Sequence, residues 1–207
     1  TKSPPALILK SSTGRNSYMS REELLSKILK IKKLYFKGVK NLPNIYILNG
    51  ALSDQDMNEL YNHPKVKAMV SLTKGEGYGR PLAEFCLSKK PMITTNWSGH
   101  TDFIDPEFST LLPGTLEKVD ASAANQWLKA ESQWFQVDGP TTTRVLNDVF
   151  KNYKKYIVGG KKQGHKIKTQ FDYGSMSKLV STILKHNIPE FAKKVELTLP
   201  NLQTPKL

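Results

Sequence analysis

The sequence predicts an α/β fold, a Rossmann-like parallel sheet flanked by helices, with an additional helical region at its C-terminal end. Three observations carry this prediction. Up to residue 112, short apolar runs alternate with segments of helical spacing, the pattern of strands joined by crossover helices. A glycine-rich turn at residues 75–79 closes one of those runs and opens a helix. After Pro113 the strand-like runs give way to longer stretches of helical periodicity.

Each element follows from its residues. Residues 6–10 (ALILK) read as a buried strand, and residues 11–19 as a polar loop around Gly14. Ser20 and Glu23 have capping-box spacing, after which Leu24, Leu25, Ile28, Ile31 and Leu34 recur at helical intervals. Residues 44–49 (NIYILN) form a second strand and Gly50 a turn. Ser53 with Asp56 makes another capping box, ahead of a short helix carrying Met57, Leu60 and Tyr61. Residues 67–72 (KAMVSL) are a third strand. Pro81 suits the first turn of the next helix, which runs to about Ser88. Residues 91–95 (PMITT) form a fourth strand and 109–112 a short fifth. Right-handed crossovers make the sheet Rossmann-like.

Residues 121–131, 141–157 and 175–187 read as helices, the second introduced by Pro140. Trp127, Trp134, Phe135, Val145, Leu146, Val149, Phe150 and Tyr153 offer apolar stripes for the core. The basic, glycine-broken stretch 159–168 (GGKKQGHKIK) reads as a mobile loop. The 207 residues are expected to make one domain: a core over about 6–115, a helical packing region over about 116–190, and an extended tail over 191–207.

Composition narrows the function. A single cysteine, Cys86, excludes an internal disulfide and fits a reducing cytoplasm. It lies in an apolar helical run, without the His partner or electropositive setting of a nucleophile, and reads as core. No apolar run reaches the length of a membrane span. The start is not a signal peptide, and a chain opening so soon on a core strand looks cut from something longer. The formal net charge of +13 points to an anionic partner: nucleic acid, anionic lipid or a phosphorylated small molecule. Much of it is scattered lysine on helix faces, such as Lys27, Lys30, Lys32 and Lys33, where solvated surface explains it equally well. The four histidines, at 63, 100, 165 and 186, have no metal-ligand spacing, and no persuasive Ser-His-Asp triad can be assembled.

The chemistry concentrates in residues 74–84 (KGEGYGRPLAE). Without Cβ atoms, Gly75, Gly77 and Gly79 let a ligand approach the backbone closely. The following helix start presents unpaired N–H groups and a positive dipole end, suited to a diphosphate, beyond the carboxyl end of a strand. Taken alone, such a turn also serves tight strand–helix packing. The spacing is neither the G-x-G-x-x-G fingerprint nor a P-loop.

Glu76 and Glu84 are separated by seven residues. This resembles the Glu-x7-Glu motif of retaining GT-B glycosyltransferases of the large glycosyl transferases group 1 family, and their C-terminal, donor-binding domain in particular. The flanking strands match too. Residues 50–61 are similar to the family's G-x-[V/L]-[S/T]-D-x-E-L-x-x-L-Y segment. The resemblance spans roughly residues 6–105, and the helical tail loosely. Residues 96–102 (NWSGHTD) match the family's G-G-x-x-E loop only in part: Ser98-Gly99 stands for Gly-Gly and Asp102 for the acid, which puts a sugar contact by Asp102 in doubt. His100 reads equally as a structural residue or a ligand contact.

The resemblance implies the C-terminal half of a GT-B fold binding a nucleotide-diphosphate sugar, a UDP or GDP sugar, as donor substrate without a further cofactor or metal. It implies that Glu84 accepts hydrogen bonds from both ribose hydroxyls and that Glu76 faces the transferred sugar as the catalytic carboxylate. The N–H groups of Gly77, Tyr78 and Gly79 would hold sugar or phosphates. Arg15 and Lys10, after the first strand, would neutralise the diphosphate, helped by Arg80 and Lys74. Backbone groups of residues 48–52 would read the base. The leaving diphosphate would itself act as base toward the acceptor hydroxyl, in a retaining transfer. The acceptor, whether glycan, lipid or protein, belongs to an N-terminal GT-B domain absent from this chain, so the isolated chain should transfer sugar poorly or not at all.

Two other classes stand beside this one. A noncatalytic nucleotide-binding regulatory module would keep Glu84 and lose transfer. A basic surface formed by Lys151, Lys154, Lys155, Lys161, Lys162, Lys166 and Lys168 would bind nucleic acid or an anionic membrane, with steep salt dependence. No nucleic-acid motif supports the former, so no nucleic-acid partner is expected. A cytoplasmic protein peripheral to an anionic membrane is compatible with the composition.

Overall fold

The computed structural model describes residues 5–11, 18–40 and 42–189. Their order is β1 (Leu7–Ser11), α1 (Tyr18–Tyr35), β2 (Ile45–Asn49), α2 (Asp54–Asn62), β3 (Met69–Ser71), α3 (Arg80–Cys86), β4 (Met92–Thr95), β5 (Thr110–Leu112), β6 (Gly114–Lys118), β7 (Gln133–Val137), α4 (Gly139–Lys151), α5 (Tyr153–Gln170) and α6 (Tyr173–Asn187). The expected alternation of strand and helix is present as far as β4, and a 3₁₀ turn at Gly99–Asp102 stands between β4 and β5. The parallel pairing is distributed over two ladders. β1 pairs with β2, Leu7 opposite Ile45; β3, β4 and β5 form the other ladder, Met69 opposite Met92 and Ile93 opposite Thr110.

The core lies around the second ladder. Every residue of β4 is buried, as expected of a central strand covered on both faces. Ile93, Leu112 and Val149 form one cluster, with Val137, Val145, Leu146 and Tyr156 packed against it. Leu82, Phe85 and Cys86 place the inner face of α3 against this ladder. Cys86 is wholly buried, and burial pushes its thiol up to about 12, as befits a core residue. α2 begins with the expected capping box: the Ser53 hydroxyl accepts the Asp56 N–H, and the Asp56 carboxylate accepts the Ser53 N–H. Its far end is held to the turn before β4 by the Lys90 ammonium, which donates to the carbonyls of Tyr61 and His63.

α1 starts at Tyr18, so Ser20 falls inside the helix rather than at its cap. Leu29, Ile31 and Leu34 are exposed. A cleft of about 500 Å³ opens between α1 and β2, lined by Leu25, Ile28, Leu29, Ile45 and Ile47.

After Pro113 three expectations are corrected. Residues 121–131 are not a helix. The segment turns over Ala121–Ala123 and returns as β7, antiparallel to β6 with Gly114 opposite Val137. Local polar side chains divert the backbone. Asp120 Oδ1 accepts the Ser122 N–H at 2.8 Å, and Asn125 Oδ1 accepts those of Trp127 and Leu128 at 2.8 and 3.0 Å. Trp127, expected in the core, is 87% exposed. The helix expected over 141–157 breaks at Asn152, whose N–H caps the Asp148 carbonyl. And residues 159–168 are no loop but the interior of α5.

Glycine serves close packing in α5. A Cβ on Gly159 would stand 2.3 Å from the Phe108 carbonyl oxygen, one on Gly160 2.6 Å from the Lys90 carbonyl carbon, and one on Gly164 2.5 Å from the Cys86 oxygen. Gln163, on the same helix and buried, accepts from the Asp105 N–H at 2.9 Å and donates to the Phe103 carbonyl at 2.8 Å. Lys166 pairs with Asp105 at 3.0 Å.

The chain divides into two units at Ile167 and Lys168. In the second, Asp172 caps α6 by accepting the Ser175 N–H, and the Ser175 hydroxyl donates to the Thr169 carbonyl. Residues 190–207, expected as an extended tail from 191 on, lie outside the described residues. No described helix is long and apolar enough to cross a membrane.

Candidate functional site

The glycine turn leaves the carboxyl end of β3 and enters α3, with the loop after β4 lying against it. Gly79 is the point that demands glycine. Its φ is +89°, a left-handed conformation that carries the chain into α3, and a Cβ there would crowd His100 and Leu82 at 3.2 Å. Gly77 differs. It lacks a positive φ, and nothing lies within 4 Å of where its Cβ would stand. Space above the middle of the turn is therefore open. Among the described residues no acceptor takes the N–H groups of Gly77, Tyr78 or Gly79. The Tyr78 ring packs on Phe103, centroids 4.8 Å apart, and stays half exposed.

Of Glu76 and Glu84, expected as a pair, Glu76 lies in the turn and Glu84 on α3. Both are partly buried. The main chain of Glu76 is fastened on both sides by the loop after β4. Its N–H donates to Ser98 Oγ at 2.9 Å, and its carbonyl accepts from that hydroxyl at 2.6 Å and from the Gly99 N–H at 3.0 Å. Its carboxylate has no partner among the described residues. Glu84 pairs with Arg80 Nε at 3.1 Å, one turn apart on α3. Tyr61, at the end of α2, stacks edge-on against Phe85, centroids 5.4 Å apart. Burial pushes its phenol above the ordinary range; the Glu84 carboxylate adds to this and Arg80 opposes it.

Arg15 lies outside the described residues. The Lys10 ammonium donates to the Gly50 carbonyl at 2.7 Å, at the carboxyl ends of β1 and β2. Arg80 is held by Glu84. Lys74 is drawn to β7, donating to Gln136 Oε1 and lying over the Trp134 ring at 4.8 Å. The Lys74 carbonyl also accepts the Phe135 N–H at 3.0 Å, and Trp97 stacks parallel to Phe135 at 6.0 Å. The β6–β7 hairpin thus braces both loops of the site, a support that the helical reading of 121–131 missed. The β-favouring Trp134, Phe135 and Val137 at 133–137 were its signal.

His100 is fully buried. Its Nε2 lies 2.7 Å from the Thr95 carbonyl, its Nδ1 has no partner among the described residues, and it packs beneath Gly79. Asp102 is exposed at the end of a 3₁₀ turn, Gly99–Asp102. In the sequence Ser98 figured only as the residue standing in place of a glycine in the partly matched 96–102 loop. It sits at φ +84°, ψ −173°, a region almost reserved for glycine, at a cost on the order of 1–3 kcal/mol. The basic residues of α5 are partly engaged: Lys166 with Asp105, and Lys162 over the Phe108 ring at 5.5 Å. No group of three or more His, Cys, Asp or Glu suited to a metal is gathered among the described residues.

No protein-family model matches the sequence, and no curated protein does so significantly. Solved structures do. Two are crystal structures of Anabaena Alr3699/HepE, one in complex with UDP-glucose and one in complex with UDP and glucose. The first aligns with a TM-score of 0.57 at 14% identity, over 88% of this chain and 42% of that chain. The second aligns with a TM-score of 0.57 at 12% identity, over 88% and 41%. The chain has one half of a GT-B fold. It spans less than half the length of the HepE chains it matches. The 500 Å³ cleft between α1 and β2 is lined by aliphatic side chains together with Glu22, Ser26 and three lysines of α1.

Proposed function

We propose that the chain is the donor-binding half of a glycosyltransferase, holding a nucleotide-diphosphate sugar over the 75–79 turn for transfer to an acceptor carried by another domain. The supporting observation is the open turn at the end of β3, carrying Glu76 with a carboxylate unpartnered among the described residues, and Glu84 on α3. The two oxygens of Glu84 match a vicinal diol, so Glu84 binds the ribose. Glu76 accepts from hydroxyls of the sugar. The N–H groups of Gly77 to Gly79 receive sugar or phosphate oxygens, and Arg80 and Lys10 offset the diphosphate charge once each leaves its present partner. That HepE is seen with UDP-glucose makes a UDP-sugar the first donor to try. Transfer is retaining and metal-free in this reading, and rests on positioning and on stabilising developing charge.

Two substitutions test the reading. Hydrogen bonds to a charged group are worth about 1.5–3 kcal/mol. Glu84→Ala is therefore expected to weaken UDP-sugar binding tenfold or more in calorimetry. Its stability should hardly move, because an exposed i,i+4 ion pair contributes only about 0.3–0.5 kcal/mol. Unchanged affinity in the folded variant would remove Glu84 from the site. Gly77→Ala adds a Cβ with no protein atom within 4 Å. It should melt within roughly 0.5 kcal/mol of the parent while losing the ligand. Full retention of binding would show that nothing docks over the turn.

A further inference from the structure

We propose that Ser98 is a positioning residue that fixes Glu76 and thereby controls recognition of the sugar half of the donor, as distinct from its nucleotide half. This rests on the nucleotide-sugar reading above. Ser98 occupies a backbone conformation that glycine adopts freely and other residues resist. The surroundings hold it there: its carbonyl accepts both the N–H of Thr101, at 3.0 Å, and the Thr101 hydroxyl, at 2.7 Å. What serine adds over glycine is one hydroxyl. Both hydrogen bonds of that hydroxyl go to the peptide groups of Glu76. Gly99 completes the clamp, since its N–H reaches the same carbonyl and its Cα lies against Gly77. Glu76 is thus locked in its main chain while its carboxylate is unengaged among the described residues, the condition of a group held ready for a ligand. Glu84 lies on α3 and is paired with Arg80, so the two halves of the donor are sensed by separately supported carboxylates.

The test titrates the chain and its Ser98→Ala and Ser98→Gly variants with UDP and with UDP-glucose, and follows hydrogen exchange of the Glu76 amide. The expected result is faster exchange at Glu76 in both variants, UDP affinity within twofold of the parent, and UDP-glucose affinity reduced at least fivefold. The glycine variant separates hydroxyl from backbone shape, because it keeps the loop conformation without strain. Wild-type UDP-glucose affinity in Ser98→Gly would overturn the proposal. So would a parallel loss for UDP and UDP-glucose, which would make Ser98 an ordinary structural residue. In both cases the parent still binds and the donor-domain reading stands. A parent chain that binds neither ligand would overturn both.

Discussion

Replacing Gly160 and Gly164 together by alanine is expected to lower the melting temperature by about 6–12 °C, the equivalent of about 3 kcal/mol for a chain of this size. The sign is what matters. Inside a helix, each glycine-to-alanine change ordinarily stabilises by about 1 kcal/mol. Here the added methyl groups meet backbone: the Lys90 carbonyl carbon at 2.6 Å and the Cys86 carbonyl oxygen at 2.5 Å. Backbone cannot rotate aside, so α5 must lift from the turn after α3. Overpacking costs typically 1–3 kcal/mol per site, more than the propensity gain. Lifting α5 also draws Gln163 from the Asp105 N–H and the Phe103 carbonyl. A melting temperature equal to or above the parent's would mean that α5 does not dock through its glycines.

Gly99→Ala is expected to abolish measurable donor binding, with a loss on the order of a hundredfold. A Cβ at Gly99 would stand 2.0 Å from the Gly77 oxygen and 2.7 Å from the Gly77 carbonyl carbon. Relief requires the 75–79 turn and the loop after β4 to separate by more than an ångström. That breaks the bond from the Gly99 N–H to the Glu76 carbonyl and loosens both Ser98 bonds. Stability should fall by a further 1–3 kcal/mol, roughly the cost of overpacking one site. Calorimetry beside thermal melting measures both. Parental affinity in Gly99→Ala would show that the contact between the two loops is irrelevant to the ligand.

These glycines also show where the sequence was legible. Alternation of strand and helix as far as β4, the Ser53–Asp56 cap and the Gly79 turn could all be read, because each is decided by local chemistry: periodicity, a side-chain acceptor, a positive φ. Gly159, Gly160 and Gly164 were read as loop because glycine is a poor helix former in isolation. Their meaning is tertiary, a close approach of backbones, and only the four-residue spacing of Gly160 and Gly164 on one helix face hinted at it. Residues 121–131 failed in the opposite way. Alanines, tryptophan and leucine suggested a helix, while Asp120 and Asn125 captured the backbone N–H groups of a turn. At the site, Glu76, Glu84 and the glycines stood out by spacing. Ser98 entered only as a partial match in place of a glycine, and the two bonds of its hydroxyl to Glu76 have no signature in sequence.

The most direct measurement is the amide spectrum of the isotope-labelled chain titrated with UDP-glucose. The donor-domain account predicts shifts confined to residues 75–84 and 96–100, with smaller ones at 48–52 and Lys10. Shifts centred on Leu25, Ile28 and Ile45 in the α1–β2 cleft, or none at millimolar ligand, would contradict it.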